Sequence, residues 1–276
     1  MSADSNRLYS NQVDENDYRK LLLNFSQFDY CNTDEIEKFD FTYEEWKSVN
    51  RMEYIESTLS ELKHKSEMRT FVNTMLWIDR KLNGNGNCNI VHPITAIDIL
   101  KRTESLGVEA NCYMYSVVLT ELLLMLGFKA RTVRCMPIDI IYDDCHCMTE
   151  VFSQEYDKWI ALDAANRSYY LKRAMPLNLF EMRECLMKEE KIIVPFMKSD
   201  IWKGLRGYLT KNMFRFETYR NCYVGSEEKI GERCLCHFQS ENYMFSEKKV
   251  AFKDYYVHHV YTSNPNIFWK KPNGGN

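Results

Sequence analysis

Apolar positions first recur at helical spacing between Asp14 and Phe28, where Tyr18, Leu21, Leu22 and Phe25 fall on one face. Thr42-Tyr43-Glu44-Glu45 has the form of a capping box, Thr42 as N-cap and Glu45 reaching back, and predicts a helix running towards Lys65. Phe71, Met75 and Ile78 are spaced for burial in a further helix over Glu67 to Leu82, which Asn83-Gly84-Asn85-Gly86-Asn87 breaks. Ile94 to Leu106 reads as a helix stopped at Gly107, and Asn111 is placed to cap the next, Cys112 to Leu126. That segment is apolar almost all round, which assigns it to the centre of a domain.

After Phe128 the period changes. Ala130 to Met136, Cys147 to Phe152 and Trp159 to Leu162 are short β-prone runs separated by turn-like segments. Pro176 to Lys191 and Ser199 to Asn212 return to helix, and from Phe214 onward aromatic and β-branched residues alternate with charges, predicting further strands. There is no internal repeat and no low-complexity segment. The order implies an α+β domain, with residues 1–65 as a helical N-terminal extension and residues 66–276 as the main domain, aromatic-rich in its C-terminal part.

Composition narrows the function classes. Apolar residues make up 45% and charged residues 27% of the 276, ordinary for a soluble globular protein. A net charge of −3 argues against nucleic acid or an anionic membrane as partner. Met1 to Asp17 is polar and acidic, without the basic and apolar regions of a signal peptide. The apolar run Val117 to Phe128 is too short to span a bilayer. A soluble, cytoplasmic protein is expected, so the ten cysteines are read as reduced thiols rather than a disulfide framework. Lys198, Lys203, Arg206, Lys211, Arg215 and Arg220 do not share one helical face and read as solvated charges rather than a docking surface for an acidic protein.

Candidate chemistry centres on the start of the central helix. A thiol at Cys112 would feel the positive end of the helix dipole and unpaired backbone N–H groups, both of which stabilise a thiolate. His146 lies beside a predicted strand and Asp163 ends another, so adjacent antiparallel strands can set an imidazole beside a carboxylate. Thiolate, imidazole and orienting carboxylate are the parts of a cysteine triad.

Three ordered blocks strengthen this reading. ITAIDILKRTESLGVEANCYMYSVVLTELLLMLGFKARTVR, from Ile94 to Arg134, resembles the first block of the transglutaminase-like superfamily, with Gly127-Phe128-Lys129-Ala130-Arg131-Thr132-Val133 as its turn into a strand. His146-Cys147-Met148-Thr149-Glu150-Val151 resembles the family's H-x-W-x-E-V strand, and Lys158-Trp159-Ile160-Ala161-Leu162-Asp163 its W-x-x-L-D strand. The chain departs from the family pattern at Ala110, Met148 and Ala164. The resemblance covers about Glu67 to Tyr170 and implies a papain-like α+β fold, with the Cys-bearing central helix packed on an antiparallel sheet. It implies Cys112, His146 and Asp163 as catalytic residues, with no metal or cofactor. The Cys112 backbone N–H is then a natural oxyanion donor and the Asn111 side chain a candidate second. The implied activity is acyl transfer through a thioacyl-enzyme. The donor would be a thioester or peptide amide, including a carrier-protein thioester of natural-product biosynthesis, and the acceptor an amine. A cysteine peptidase or amidase is the alternative reading.

Rival readings use the other thiols. Cys145-His146-Cys147 and Cys234-Leu235-Cys236-His237 offer soft zinc ligands, but the usual C-x₂₋₄-C spacing is absent, and alternation puts both thiols of a C-x-C on one strand face with His146 on the other. A reversible disulfide between Cys145 and Cys147 is weaker still, as is a non-catalytic protein on this fold.

Overall fold

Alternation along three strands decides which side chains meet which helix. The computed structural model describes residues 15–25, 28–31, 37–44, 55–82, 84, 94–107, 109–139, 145–225, 232–246 and 248–272. In chain order these hold α1 (Glu15–Asn24), β1 (Thr42–Glu44), α2 (Glu56–Leu62), α3 (Glu67–Lys81), α4 (Ala96–Leu106), α5 (Cys112–Met125), β2 (Ala130–Met136), β3 (His146–Ser153) and β4 (Lys158–Asp163). There follow β5 (Ser168–Tyr169), β6 (Leu171–Lys172), β7 (Met175–Pro176), α6 (Leu179–Met187), α7 (Ser199–Lys211), β8 (Arg215–Tyr219), β9 (Asn221–Tyr223) and β10 (Arg233–His237). β11 (Met244–Phe245), β12 (Val250–Ala251), α8 (Phe252–Tyr255), β13 (Val260–Thr262) and α9 (Pro265–Phe268) complete the order.

The main sheet runs β13-β10-β8-β2-β3-β4-β5 and is antiparallel except for the β10–β13 edge pair. Ala130, Val151, Ile160 and Leu162 point to one face and pack with α2 to α5. Val133, Met148, Ala161 and Phe216 belong to the other face and pack with α1, α6 and α7. The fold is α+β, with α5 lying on the central strands β2 and β3.

Every residue of α5 from Met114 to Leu124 is buried, as its all-round apolar pattern predicts. Its polar residues are satisfied in place. Thr120 Oγ1 lies 3.0 Å from Thr132 Oγ1. Glu121 accepts from the Ala96 N–H at 3.0 Å and the Gly225 N–H at 2.8 Å, which ties the start of α4 and the end of β9 to the central helix. Gly107 stops α4 at φ 62°, a left-handed conformation that costs a side chain-free residue little.

Two regions differ from expectation: the stretch after Phe214 holds the short helices α8 and α9 as well as strands, and the segment at Thr42 is a strand. Thr42 does not cap a helix: β1 pairs in parallel with β9, from Thr42↔Asn221 to Glu44↔Tyr223, and the next described helix begins at Glu56. Phe41 and Tyr43 account for the change. Their rings pack 6.0 Å from Phe268 and 5.7 Å from Trp159, and such long-range aromatic burial outweighs a local capping pattern. Apart from Gly84, the Asn83–Asn87 break lies outside the described residues. Leu22 and Phe39, both fully buried, share a core with Phe216 and Phe268 from the far end of the chain. The basic residues of 198–220 are not uniformly solvated either: Arg206 pairs with Glu15, and Arg215 is buried against Phe245 and Tyr256.

Candidate active site

Asn111 adopts an extended backbone and its Oδ1 accepts from the Met114 N–H at 3.0 Å, so α5 starts at Cys112 with the thiol at the positive end of the helix. Asn111 thereby spends its side-chain oxygen on the cap. His146 opens β3 and Asp163 closes β4. One step past the Thr149↔Leu162 pair, Asp163 lies on the same sheet face as His146. Cys112 approaches around the end of β3: its Sγ lies 3.8 Å from the Cys145 carbonyl oxygen, one residue before His146.

The carboxylate of Asp163 is held from every side. Oδ2 accepts from His146 Nε2 at 2.7 Å, Asn166 Nδ2 at 2.9 Å and the Tyr170 hydroxyl at 3.0 Å, while Oδ1 accepts from the Asn166 backbone N–H at 3.1 Å. Asp163 is fully buried and His146 2% exposed. Burial alone would raise the Asp163 pKa, but the charge and hydrogen bond of His146, with Asn166 and Tyr170, hold it below the usual carboxylate range. Burial likewise works against the imidazolium, yet Asp163 and then Cys112 raise His146 well above its ordinary value.

Cys112 is held well below the ordinary thiol range. A hydrogen bond from the Cys147 thiol is the largest influence, burial opposes it, and His146 adds a hydrogen bond and a charge. The site therefore favours a thiolate–imidazolium pair. Tyr208 of α7 covers it: the ring lies edge-on to His146 at 5.6 Å, and the hydroxyl donates to the Cys145 carbonyl at 3.2 Å.

Two further motif residues meet each other rather than the thiol. Arg131 Nη2 and Nε donate to Glu150 Oε2 at 2.8 and 3.2 Å, and both side chains are fully buried. The guanidinium lies 4.5 Å from the rings of Trp159 and Phe268, and Glu150 Oε1 also accepts from the Leu179 N–H and Trp269 Nε1. This pair locks β2, β3, α6 and the chain after α9 behind the site.

Residues 56–164 match the family model of the transglutaminase-like superfamily. These residues form a transglutaminase-like core. The matched span takes in α2 to β4 and contains Asn111, Cys112, His146 and Asp163. A solved structure from Cytophaga hutchinsonii, described as a candidate cysteine protease, aligns at 16% identity and a TM-score of 0.34. The alignment covers 49% of this chain and 43% of that one, so the chain spans less than half the length of that relative. No curated protein matches the chain significantly.

Asn166, Tyr170 and Tyr208 lie outside the transglutaminase-like core, and of these the sequence points only to Tyr208, as one of many C-terminal aromatics able to roof a site. Asn166, three residues beyond Asp163, has the spacing of an Asx turn and was open to recognition; Tyr170 and Tyr208 carry no local signal. Among the described residues no group of three or more His, Cys, Asp or Glu is arranged to hold a metal ion. Cys234 and Cys236 are buried on the face away from α5, and His237 Nδ1 meets the Gln239 carbonyl at 2.9 Å. No described helix is long and apolar enough to cross a membrane.

Proposed function

We propose that this chain is a cysteine-dependent acyltransferase that forms an amide through a thioacyl-enzyme on Cys112. The observation that carries the reading is one arrangement: a thiol at a helix N-terminus, 3.8 Å from the carbonyl that precedes His146, beside an imidazole whose Nε2 is bonded to a buried carboxylate. Cys112 thiolate attacks the acyl carbonyl. The Cys112 backbone N–H at the open end of α5 receives the developing oxyanion, with the Asn111 side-chain amide as a second donor. His146 imidazolium protonates the leaving group and later takes the proton of the incoming amine, while Asp163 fixes the ring and its charge.

A thioester suits this donor site, because exchange between two thiols is nearly isoenergetic, and a carrier-protein thioester of natural-product biosynthesis is the donor class favoured. Burial of His146 and the cover by Tyr208 support aminolysis over hydrolysis, since both limit water beside the acyl-enzyme. No cofactor is invoked.

The test incubates the protein with a panel of acyl thioesters, with and without primary amines, followed by intact-mass spectrometry and product analysis. A Cys112 adduct with amide as product, absent in Cys112→Ala, is the expected result. Free acid as the only product across the amine panel, with cleavage of unstructured peptides, would establish a cysteine peptidase instead.

A further inference from the structure

The proposed acyl transfer needs one thiol, but three converge at this site. Cys145 immediately precedes β3 and Cys147 lies within it, on the side of α5 where Thr149 bonds the Ser116 carbonyl. Cys112 Sγ is 3.8 Å from the Cys145 carbonyl oxygen, and Cys147, on the same strand face as Cys145, lies near enough to both thiols to shift their acidities. Arg134 stands opposite Cys147 across the β2–β3 ladder and brings Nη2 to 3.8 Å from Cys145 Sγ. Glu217, 3.2 Å from Arg134 Nη1, holds that guanidinium in place. Cys147 is buried, whereas Cys112 and Cys145 keep partial access to solvent. Cys135, Cys185, Cys234 and Cys236 are buried in the core on the other sheet face.

We propose that Cys112, Cys147 and Cys145 form a hydroperoxide-reactive site, in which Cys112 is oxidised, Cys147 captures it as a disulfide, and Cys145 provides the route for reduction. This rests on the reading of Cys112 as a reactive thiolate, but not on amide synthesis.

In the first step Cys112 thiolate attacks the terminal oxygen of the hydroperoxide. The O–O bond breaks, Cys112 becomes a sulfenic acid, and the other oxygen leaves as an alcohol, or as water from hydrogen peroxide, after taking a proton. The Cys147 sulfur then attacks the sulfenic sulfur. An S–S bond forms, the S–O bond breaks, and the hydroxyl leaves with the Cys147 proton as water. In the third step Cys145 thiolate attacks the Cys147 sulfur, forming a Cys145–Cys147 disulfide and releasing Cys112 as thiolate. An external dithiol reduces that bond through the accessible Cys145 sulfur and is itself oxidised to a disulfide.

The acidities suit the first and third steps, in which Cys112 and Cys145 attack. Hydrogen bonding to Cys112 and Cys145, then burial, raises Cys147 well above the ordinary thiol value, so its attack is the slow step and requires its proton to pass to the departing hydroxyl as the S–S bond forms. Cys145 is lowered to about 7, first by its hydrogen bond from Cys147 and, against burial, by Arg134. An attacking thiol is most effective when its pKa is near ambient pH. A Cys145–Cys147 disulfide has little support in the sequence alone; the placement of Cys147 on the α5 side of β3, with Cys112 at the end of that strand, is what the structure adds.

The experiment treats the full chain with a several-fold molar excess of hydrogen peroxide, because sulfenic and then sulfinic oxidation each consume one peroxide, blocks free thiols with iodoacetamide, and maps linked peptides without reduction. A Cys112–Cys147 bond, or a Cys145–Cys147 bond after exchange, is expected, with Cys112 alkylation recovered by dithiothreitol. In Cys147→Ser, Cys112 should instead advance to sulfinic acid, which dithiothreitol does not reverse. In Cys145→Ser, the Cys112–Cys147 bond should accumulate and reduce at least about tenfold more slowly. Wild-type Cys112 going directly to sulfinic acid, or bonding only to Cys145, overturns the proposal, and so does unchanged reversibility in Cys147→Ser. The wild-type map stands even where a variant folds poorly. Because the readout is mass rather than turnover, failure here leaves acyl transfer untouched, and failure of acyl transfer leaves this site standing.

Discussion

His146 gives Nε2 to Asp163 at 2.7 Å, which leaves Nδ1 as the ring nitrogen that serves Cys112. The carboxylate thus selects both the orientation of the ring and the end of it that carries the exchangeable proton. In this arrangement the thiolate and imidazolium are each charged because the other is.

Alkylation reads this coupling directly. In the wild-type protein the rate of iodoacetamide attack at Cys112 should already be on its plateau at neutral pH, because the thiol is held well below its usual range. His146→Ala removes one of the two favourable partners, so the rise should move up towards the free-thiol value of about 8.5, with the Cys147 bond retaining part of the depression. A pH profile at Cys112 that ignores the substitution would remove His146 from the site.

Tyr170→Phe tests how Asp163 is held. A hydrogen bond to a charged group contributes about 1.5–3 kcal/mol, so the variant should be less stable by that order at neutral pH. The folded carboxyl is depressed, so its contribution is present above the unfolded value of about 3.9 and is lost as pH falls through the lower native value. The stability gap between the two proteins, from urea unfolding at stepped pH, should therefore close in acid. A gap that persists unchanged to pH values where Asp163 is protonated would mean that the Tyr170 hydroxyl acts independently of the Asp163 charge.

Glu150→Ala strands the Arg131 guanidinium in a site with no solvent, together with the Leu179 N–H and Trp269 Nε1. Removing one partner of a buried pair costs about 3–5 kcal/mol. Arg131→Met in the same protein should recover part of that loss, because it takes away the unpaired charge but not the two orphaned donors. Thermal or urea unfolding of the single and double variants measures this; a double variant no better than Glu150→Ala would mean that the backbone and indole bonds, not the ion pair, hold this junction.

What the sequence revealed follows from how local each signal is. α5 was readable because its cap, apolar surround and stop lie within one stretch, and β2 to β4 because three runs alternate with turns between them. Cys112, His146 and Asp163 were readable because motif spacing carries them to the ends of those elements. Thr42 misled because its pattern is local while the competing force, burial of Phe41 and Tyr43 against Phe268 and Trp159, comes from distant chain. Tyr208 was visible only as one of many aromatics in the C-terminal third. Most of the others, such as Phe214, Phe216, Phe238 and Phe268, fill the core, and nothing in the sequence distinguishes the one that reaches His146.

Tyr208 also supplies the sharpest test of water exclusion. Its ring shields one side of a nearly buried imidazole, and its hydroxyl braces the Cys145 carbonyl beside the thiol. Tyr208→Phe keeps the ring and loses one neutral hydrogen bond, worth about 0.5–1.5 kcal/mol, so acyl transfer should fall by roughly tenfold at most and the ratio of amide to acid should hold. Tyr208→Ala opens the face of His146 to solvent. Water can then be activated at the acyl-enzyme as readily as the amine, and the product should shift towards acid even though Cys112 still acylates. Partitioning one thioester between water and a fixed amine measures the ratio independently of donor binding. Should both variants partition like the wild type, Tyr208 is no shield, and exclusion of water rests on the acceptor itself occupying the site.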